Sequence, residues 1–266
     1  MSEKVIVSDK DRLLRTEVLV NPRFHLVESN VLKWYITTLR DRETDSDTFA
    51  RIVARTANFL WYEAARDMPL TMVPVTTPLD LTCEGYVPTH QDVVVIILRA
   101  GMAMAEIRKE IDHAVLGIIG MKRHERNGVA FPYLNALPEG ISNMTVYLVD
   151  PMCATGGSYT LALNMLRQMG VKHVKCLSLF AVPEGVKVVL DNFPEAEMYT
   201  AALDKNLNER FYIQEGCGDA GDRWSGAKMD SMPLAQFITD AMLEGIAAYY
   251  GLDPTSLKRL NPSENG

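Results

Sequence analysis

The chain has 266 residues, 47% of them hydrophobic and 23% charged, enough to bury a sizeable core in one large domain or two small ones. Its net charge of −7 excludes the broadly basic surface that nonspecific nucleic-acid binding requires, so no nucleic-acid partner is expected, while a local basic pocket stays compatible. Cys83, Cys153, Cys176 and Cys217 are far apart and form no CxxC or Cys/His cluster, which excludes a patterned zinc site and suits a reducing, cytoplasmic compartment.

Along the chain, residues 1–20 show no clear period and are expected as a flexible arm. The opening MSEKVIVSDKDRLLR mixes acids with bases and has no long apolar run, so no signal peptide is expected. No stretch approaches the roughly 20 apolar residues of a membrane span. From Ser46 to Arg66, Phe49, Ile52, Val53, Thr56 and Leu60 fall at helical spacing, with Ser46 or Asp47 available as N-cap; a helix packed by one face is predicted. Residues 70–91 mix Pro, Thr and Asp with short apolar runs and suit a hairpin or an irregular excursion.

Four apolar runs follow: VVVIIL at 93–98, AVLGIIG at 114–120, TVYLV at 145–149 and VKCLSLFAV at 174–182. MYTAALD at 198–204 reads as one more strand. Helix-like segments (MAMAEIRKEI, SYTLALNMLRQMG, PEGVKVVLDNF) lie between most of them. Continuous Val/Ile/Leu runs alternating with helices predict an α/β fold with a central parallel sheet covered on both faces. The insert KRHERNGVAFPYLNALPEGISN between the second and third runs is expected as a long functional loop. Beyond Gly226, PLAQFITDAMLEGIAAYY sets Leu234, Phe237, Ile238, Ala241, Ile246 and Tyr249 on one stripe, predicting an amphipathic helix in a C-terminal extension, 227–266.

The stretch VYLVDPMCATGGS carries the chemistry. In an open α/β sheet, ligands sit at the carboxyl ends of the strands, and VYLV delivers Asp150 there. The turn after it would present backbone N–H groups at the start of a helix, where oriented amides and the helix dipole hold phosphate. Thr155 and Ser158 add hydroxyl donors. A Gly-Gly pair after a strand is by itself only a tight turn; the acid before it and the hydroxyls around it point to a ligand. No lysine follows the glycines and GxGxxG is absent, which excludes the nucleoside triphosphatase and dinucleotide readings. Phosphate beside an acid that can accept from a diol describes ribose 5-phosphate.

VDPMCATGGS resembles the phosphoribosyl-diphosphate motif of type I phosphoribosyltransferases, in the Asp-Pro-Met form characteristic of the uracil phosphoribosyltransferase family. IILRAG (96–101), GMKRHE (120–125) and YIQEGCGDAGDR (212–223) are similar, in order, to that family's Ile-Leu-Arg-Ala-Gly turn, the start of its mobile loop and its base-binding loop. LRDRETDSDTFARIVARTANFLWYEA resembles its N-terminal helical segment, and the likeness runs from about Phe24 to Gly226. It implies a type I phosphoribosyltransferase domain over 21–226, with a mobile loop and a small hood outside the sheet. It implies transfer of the phosphoribosyl group to uracil, giving UMP and diphosphate in pyrimidine salvage.

Carried over on matching positions, the resemblance puts phosphoribosyl diphosphate on Arg99, Arg123, Asp150, Pro151, Met152, Cys153, Ala154, Thr155, Gly156, Gly157, Ser158 and Asp219. It puts uracil on Ile213, Gly218, Asp219 and Ala220, and catalysis on Asp150, Arg123 and Asp219. The residue types agree with the chemistry, because a leaving diphosphate needs cations and Arg supplies permanently charged, bidentate donors. Mg²⁺ is implied as a cofactor held mainly by diphosphate oxygens and water, with no protein metal cage. A homodimer or higher homo-oligomer is implied too. The scattered His25, His90, His113 and His173 are assigned structural or surface duty.

Two departures stand out. Glu215 occupies the place where the family has a proline before the first glycine of the base loop, and the chain continues through 227–266 where the family stops. The rival readings are a phosphoribosyltransferase for another heterocyclic base, with Glu215 turned inward to an amino-bearing ligand, and a non-catalytic regulator that senses phosphoribosyl diphosphate.

Overall fold

A computed structural model describes residues 9–123 and 130–228. The elements in chain order are α1 (Asp9–Leu19), β1 (Phe24–Leu26), α2 (Asn30–Arg40), α3 (Ser46–Ala64), β2 (Leu70–Thr76), β3 (Thr82–Pro88) and β4 (Asp92–Leu98). A 3₁₀ helix (Ala100–Lys109) follows, then β5 (Val115–Arg123), β6 (Ala130–Ala136), β7 (Thr145–Val149), β8 (Met152–Cys153) and α4 (Gly157–Gln168). The last are β9 (Val174–Ala181), α5 (Pro183–Asn192), β10 (Ala196–Leu203) and α6 (Ala220–Ser225).

Among the described residues, eight strands form one sheet in the order β1-β10-β9-β7-β4-β5-β6, with β8 pairing β9. Every pairing is parallel except β5 with β6, which is antiparallel. The long apolar runs are explained by burial on both faces. Val94 and Ile96 of β4 and Tyr147 and Val149 of β7 join a core beneath α2, α3, the 3₁₀ helix and α6. Their neighbours Val93, Val95, Ile97, Val146 and Leu148 join a second core with α4, α5 and Val18 of α1. No helix among the described residues is long and apolar enough to cross a membrane.

Several expectations are corrected. The arm at 1–20 is helical over Asp9–Leu19. Val18 is 3% exposed, Arg15 Nη1 donates to Leu203 O at 2.6 Å, and Glu17 pairs with Lys187 at 2.5 Å; these contacts hold a segment whose own pattern is too weak to predict. The insert after the second apolar run is not all loop. β5 continues to Arg123, and β6 pairs back on it after a register shift at Gly120/Met121. The N-cap of α3 is Asp45, whose carboxylate accepts from Thr48 N–H at 2.8 Å, rather than Ser46 or Asp47. Segment 70–91 resolves to the hairpin, β2 against β3 in seven-residue register. The amphipathic helix predicted after Gly226 and the basic run His124–Arg126 lie outside the described residues.

Candidate active site

The strand order reverses between β4 and β7: β5 lies on one side of that pair, β9 and β10 on the other. In open parallel sheets, such a switch point opens a crevice at the carboxyl ends of the strands. β4 ends into Arg99 and β7 into Asp150, so the two motif residues flank the crevice.

The loop after β7 owes its path to Pro151. Lacking an N–H, Pro151 cannot extend the ladder, but its carbonyl accepts from Leu179 N–H and Phe180 N–H, each at 3.0 Å. The chain thereby leaves β7 and pairs for two residues with β9, Met152 opposite Phe180 and Cys153 opposite Ala181. Gly156 then turns with φ +79°, and α4 begins. The positive φ falls at Gly156 and not at Gly157. A Cβ at Gly156 would also lie 2.7 Å from Gly185 O, so packing on α5 shapes the turn. At Gly157 a Cβ would meet only Thr155 Oγ1, at 3.5 Å. The protein itself leaves that space open, in front of the first N–H groups of a 12-residue helix.

Asp150 is 6% exposed and its Oδ1 accepts from Met152 N–H at 3.3 Å. Cys153 and Ala154 are buried beneath the loop, Ser158 is 7% exposed, and Gly157 is exposed. Arg99 is exposed at the mouth, following a cis Leu98–Arg99 peptide bond. Arg123 is the last residue of β5; its side chain lies outside what the structure describes.

The third wall follows β10. Leu207 bridges Ile213, Asn206 O accepts from Gln214 N–H at 3.2 Å, and Asn208 O and N engage Phe211 and Tyr212. Residues 205–219 so form a loop region outside the sheet, termed the hood below. Within it Ile213, Cys217 and Ala220 are buried, while Gly218 (φ +74°) and Asp219 are exposed. Burial pushes the Cys217 thiol up to about 12, so it stays neutral. Met152 joins this loop to the one after β7, its Sδ 3.8 Å from Cys217 Sγ. Gly101 packs against Val149 O and Gly221 near Ala100. The loops after β4, β7 and β10 therefore meet at one place.

Asp219, expected among the catalytic groups, commits Oδ1 to Asp222 N–H at 3.0 Å as the N-cap of α6. Three supporting residues were not foreseen. Arg223 Nη1 donates to Cys217 O at 3.1 Å and to Leu39 O, Nη2 donates to Asp41 O at 2.6 Å, and the guanidinium lies 4.3 Å from the Phe49 ring centroid. Arg40 grips the 4% exposed Asp204 through both nitrogens, at 2.9 and 2.5 Å. A signal for Asp204 existed: it follows the strand MYTAAL just as Asp150 follows VYLV. Glu215 is paired with Lys205 Nζ at 2.8 Å and is 43% exposed.

The family model described as uracil phosphoribosyltransferase matches residues 26–227. This chain belongs to the uracil phosphoribosyltransferase family. Proteins of that name from Pediococcus pentosaceus and Streptococcus suis are 39% and 38% identical over 207 residues, which are 77% of this chain and 99% of each relative. The AQ2163 protein of Aquifex aeolicus shares the fold with a TM-score of 0.73 and 29% identity, over 78% of this chain and 100% of that one. The family match begins after α1 and ends with α6, so the type I phosphoribosyltransferase core carries additions at both ends.

Proposed function

We propose that this member of the uracil phosphoribosyltransferase family transfers the 5-phosphoribosyl group of phosphoribosyl diphosphate to uracil, in cytoplasmic pyrimidine salvage. One observation carries the reading: an open cradle at the start of α4 stands beside a buried acid at the switch point, with the hood loop as the third wall. The N–H groups of Gly157 and Ser158, with the Thr155 and Ser158 hydroxyls, take the 5′-phosphate. Asp150 accepts from the ribose hydroxyls. Arg99 and Arg123 take the diphosphate.

The bond from C1′ to diphosphate oxygen breaks, the bond from C1′ to uracil N1 forms, and the N1 proton passes by way of solvent to the released diphosphate. The transition state is oxocarbenium-like, and the negative charge of Asp150 favours it. No covalent nucleophile is required; orientation and exclusion of water do the rest. Mg²⁺, when bound, neutralises the leaving diphosphate. The ion would be held by diphosphate oxygens and water, with the carboxylate of Asp150, 6% exposed at the end of β7, available to orient a bound water.

Uracil is supported by the family match and by its hydrogen-bonding pattern. Its O2, N3–H and O4 present acceptor, donor and acceptor, an order that backbone groups of Ile213–Ala220 can complement. Cytosine would leave a buried amide facing an amino group, a mismatch worth orders of magnitude in specificity. The pairing of Glu215 with Lys205 gives this carboxylate a partner other than an amino-bearing base. Free thiols at Cys83, Cys153, Cys176 and Cys217 support a reducing compartment. A homo-oligomer is supported by the β2–β3 hairpin, whose Leu70, Met72, Leu81 and Tyr86 are all more than half exposed. The test is product detection with phosphoribosyl diphosphate, Mg²⁺ and a panel of free bases. UMP from uracil and nothing from cytosine is expected; an inert uracil with another base active would overturn the base assignment and keep the transfer chemistry.

A further inference from the structure

Tyr159 follows the phosphate motif by one residue and is 1% exposed. Its ring packs in the second core, but its hydroxyl reaches back under the phosphate loop. The Oη lies 2.7 Å from Leu177 O and 2.9 Å from Asp150 O, and accepts from Asp150 N–H at 3.2 Å. A phenol has one proton and spare lone pairs, so the two carbonyls share the proton while the amide is accepted. The direct bond from Asp150 N–H to Leu177 O is longer, 3.3 Å. One oxygen atom thus ties the carboxyl end of β7 and the middle of β9 to the first turn of α4.

That connection bears on the ligand. The 5′-phosphate and the ribose hydroxyls belong to one short molecule, so the cradle and Asp150 must stand within the limited span it can bridge. Cradle and acid lie on different elements, α4 and the end of β7, and the loop between them contains a positive-φ glycine. We propose that Tyr159 is a positioning residue that sets the spacing between the phosphate cradle and Asp150. The proposal rests on the phosphoribosyltransferase reading of this site. Burial, reinforced by the Asp150 charge, holds the phenol well above its ordinary pKa, so it remains a donor throughout the working range.

Tyr159→Phe keeps the packed ring and removes the oxygen. Leu163→Val, one turn further along α4 in the same core, serves as a control for lost packing. Binding of ribose 5-phosphate and of inorganic phosphate is measured by titration, with thermal midpoints for both variants. Tyr159→Phe should weaken ribose 5-phosphate about tenfold and leave inorganic phosphate unchanged, since only the two-point ligand senses the spacing. Its kcat should fall by a similar factor, with the KM for uracil unmoved. Leu163→Val, at equal or greater thermal loss, should keep wild-type ribose 5-phosphate affinity. Equal affinities in wild type and Tyr159→Phe would overturn the positioning role alone, and so would a parallel loss of both ligands in both variants. A wild-type protein that binds neither ligand would overturn the site reading and this proposal with it.

Discussion

Gly156 and Gly157 are neighbours with different obligations. Gly156 needs its glycine for φ +79° and for the close approach of Gly185 O. Gly156→Ala should therefore cost about 2 kcal/mol or more of stability, read as a lower thermal midpoint. Gly157 has room for a side chain, so Gly157→Val should fold with a near-wild-type midpoint and lose phosphoribosyl-diphosphate binding, because the branch stands where phosphate meets the helix amides. Titration of the folded variant decides; retained affinity would remove the phosphate from this turn. Asp150→Asn keeps the shape and drops the charge, so kcat should fall by more than KM rises; equal turnover would contradict an electrostatic role. At the other end of the sheet, Asp92 is 4% exposed and its Oδ1 has no hydrogen-bond partner among the described residues. Burial raises its carboxyl above the ordinary range, against the Thr145 hydrogen bond and the Lys175 and His90 charges. A folded pKa above the unfolded one means that stability from this group is complete below the unfolded value and is lost as pH rises through the folded one. Asp92→Asn should gain on wild type at pH 8 and lose that advantage in acid. A midpoint difference that ignores pH would refute it.

Elements are joined around the site by charged side chains that reach backbone carbonyls. Arg223 fastens the base loop to the α2–α3 turn, and truncating it strands Leu39 O, Asp41 O and Cys217 O while removing the stack on Phe49. Arg223→Ala should cost about 2–4 kcal/mol in denaturant unfolding and raise the KM for uracil more than that for phosphoribosyl diphosphate. Matched increases in both constants would argue against a role confined to the hood. Such links explain which parts of the molecule were legible. Parallel strands announced themselves because burial on two faces demands unbroken apolar runs, as in VVVIIL. β6 did not, since AFPYLNA carries a proline and lies at an edge. At the site, Asp150 and the Gly-Gly turn were legible because local chain geometry makes them useful. Tyr159, Arg40 and Arg223 were not, because their partners are 18, 164 and 184 residues distant and no local pattern encodes such a contact.

On the scale of the whole molecule, the β2–β3 hairpin stands out from the sheet with Leu70, Met72, Leu79, Leu81 and Tyr86 between 55% and 81% exposed. A lone two-stranded ribbon is marginal in water, and apolar side chains on both its faces call for cover. Light scattering should give a multiple of the 29.7 kDa chain mass, and replacing residues 71–87 by a short glycine turn should reduce that multiple. A monomeric wild type would dismiss the homo-oligomer. The sheet limits how such copies can meet. β1 pairs over only three residues, and β6, at the opposite border, carries Pro132 within its seven. Neither border offers a long row of unspent amides to another strand. Among the described residues the borders of the main sheet are thus poor templates for another copy, which leaves the side chains of the hairpin as the surface through which copies would meet.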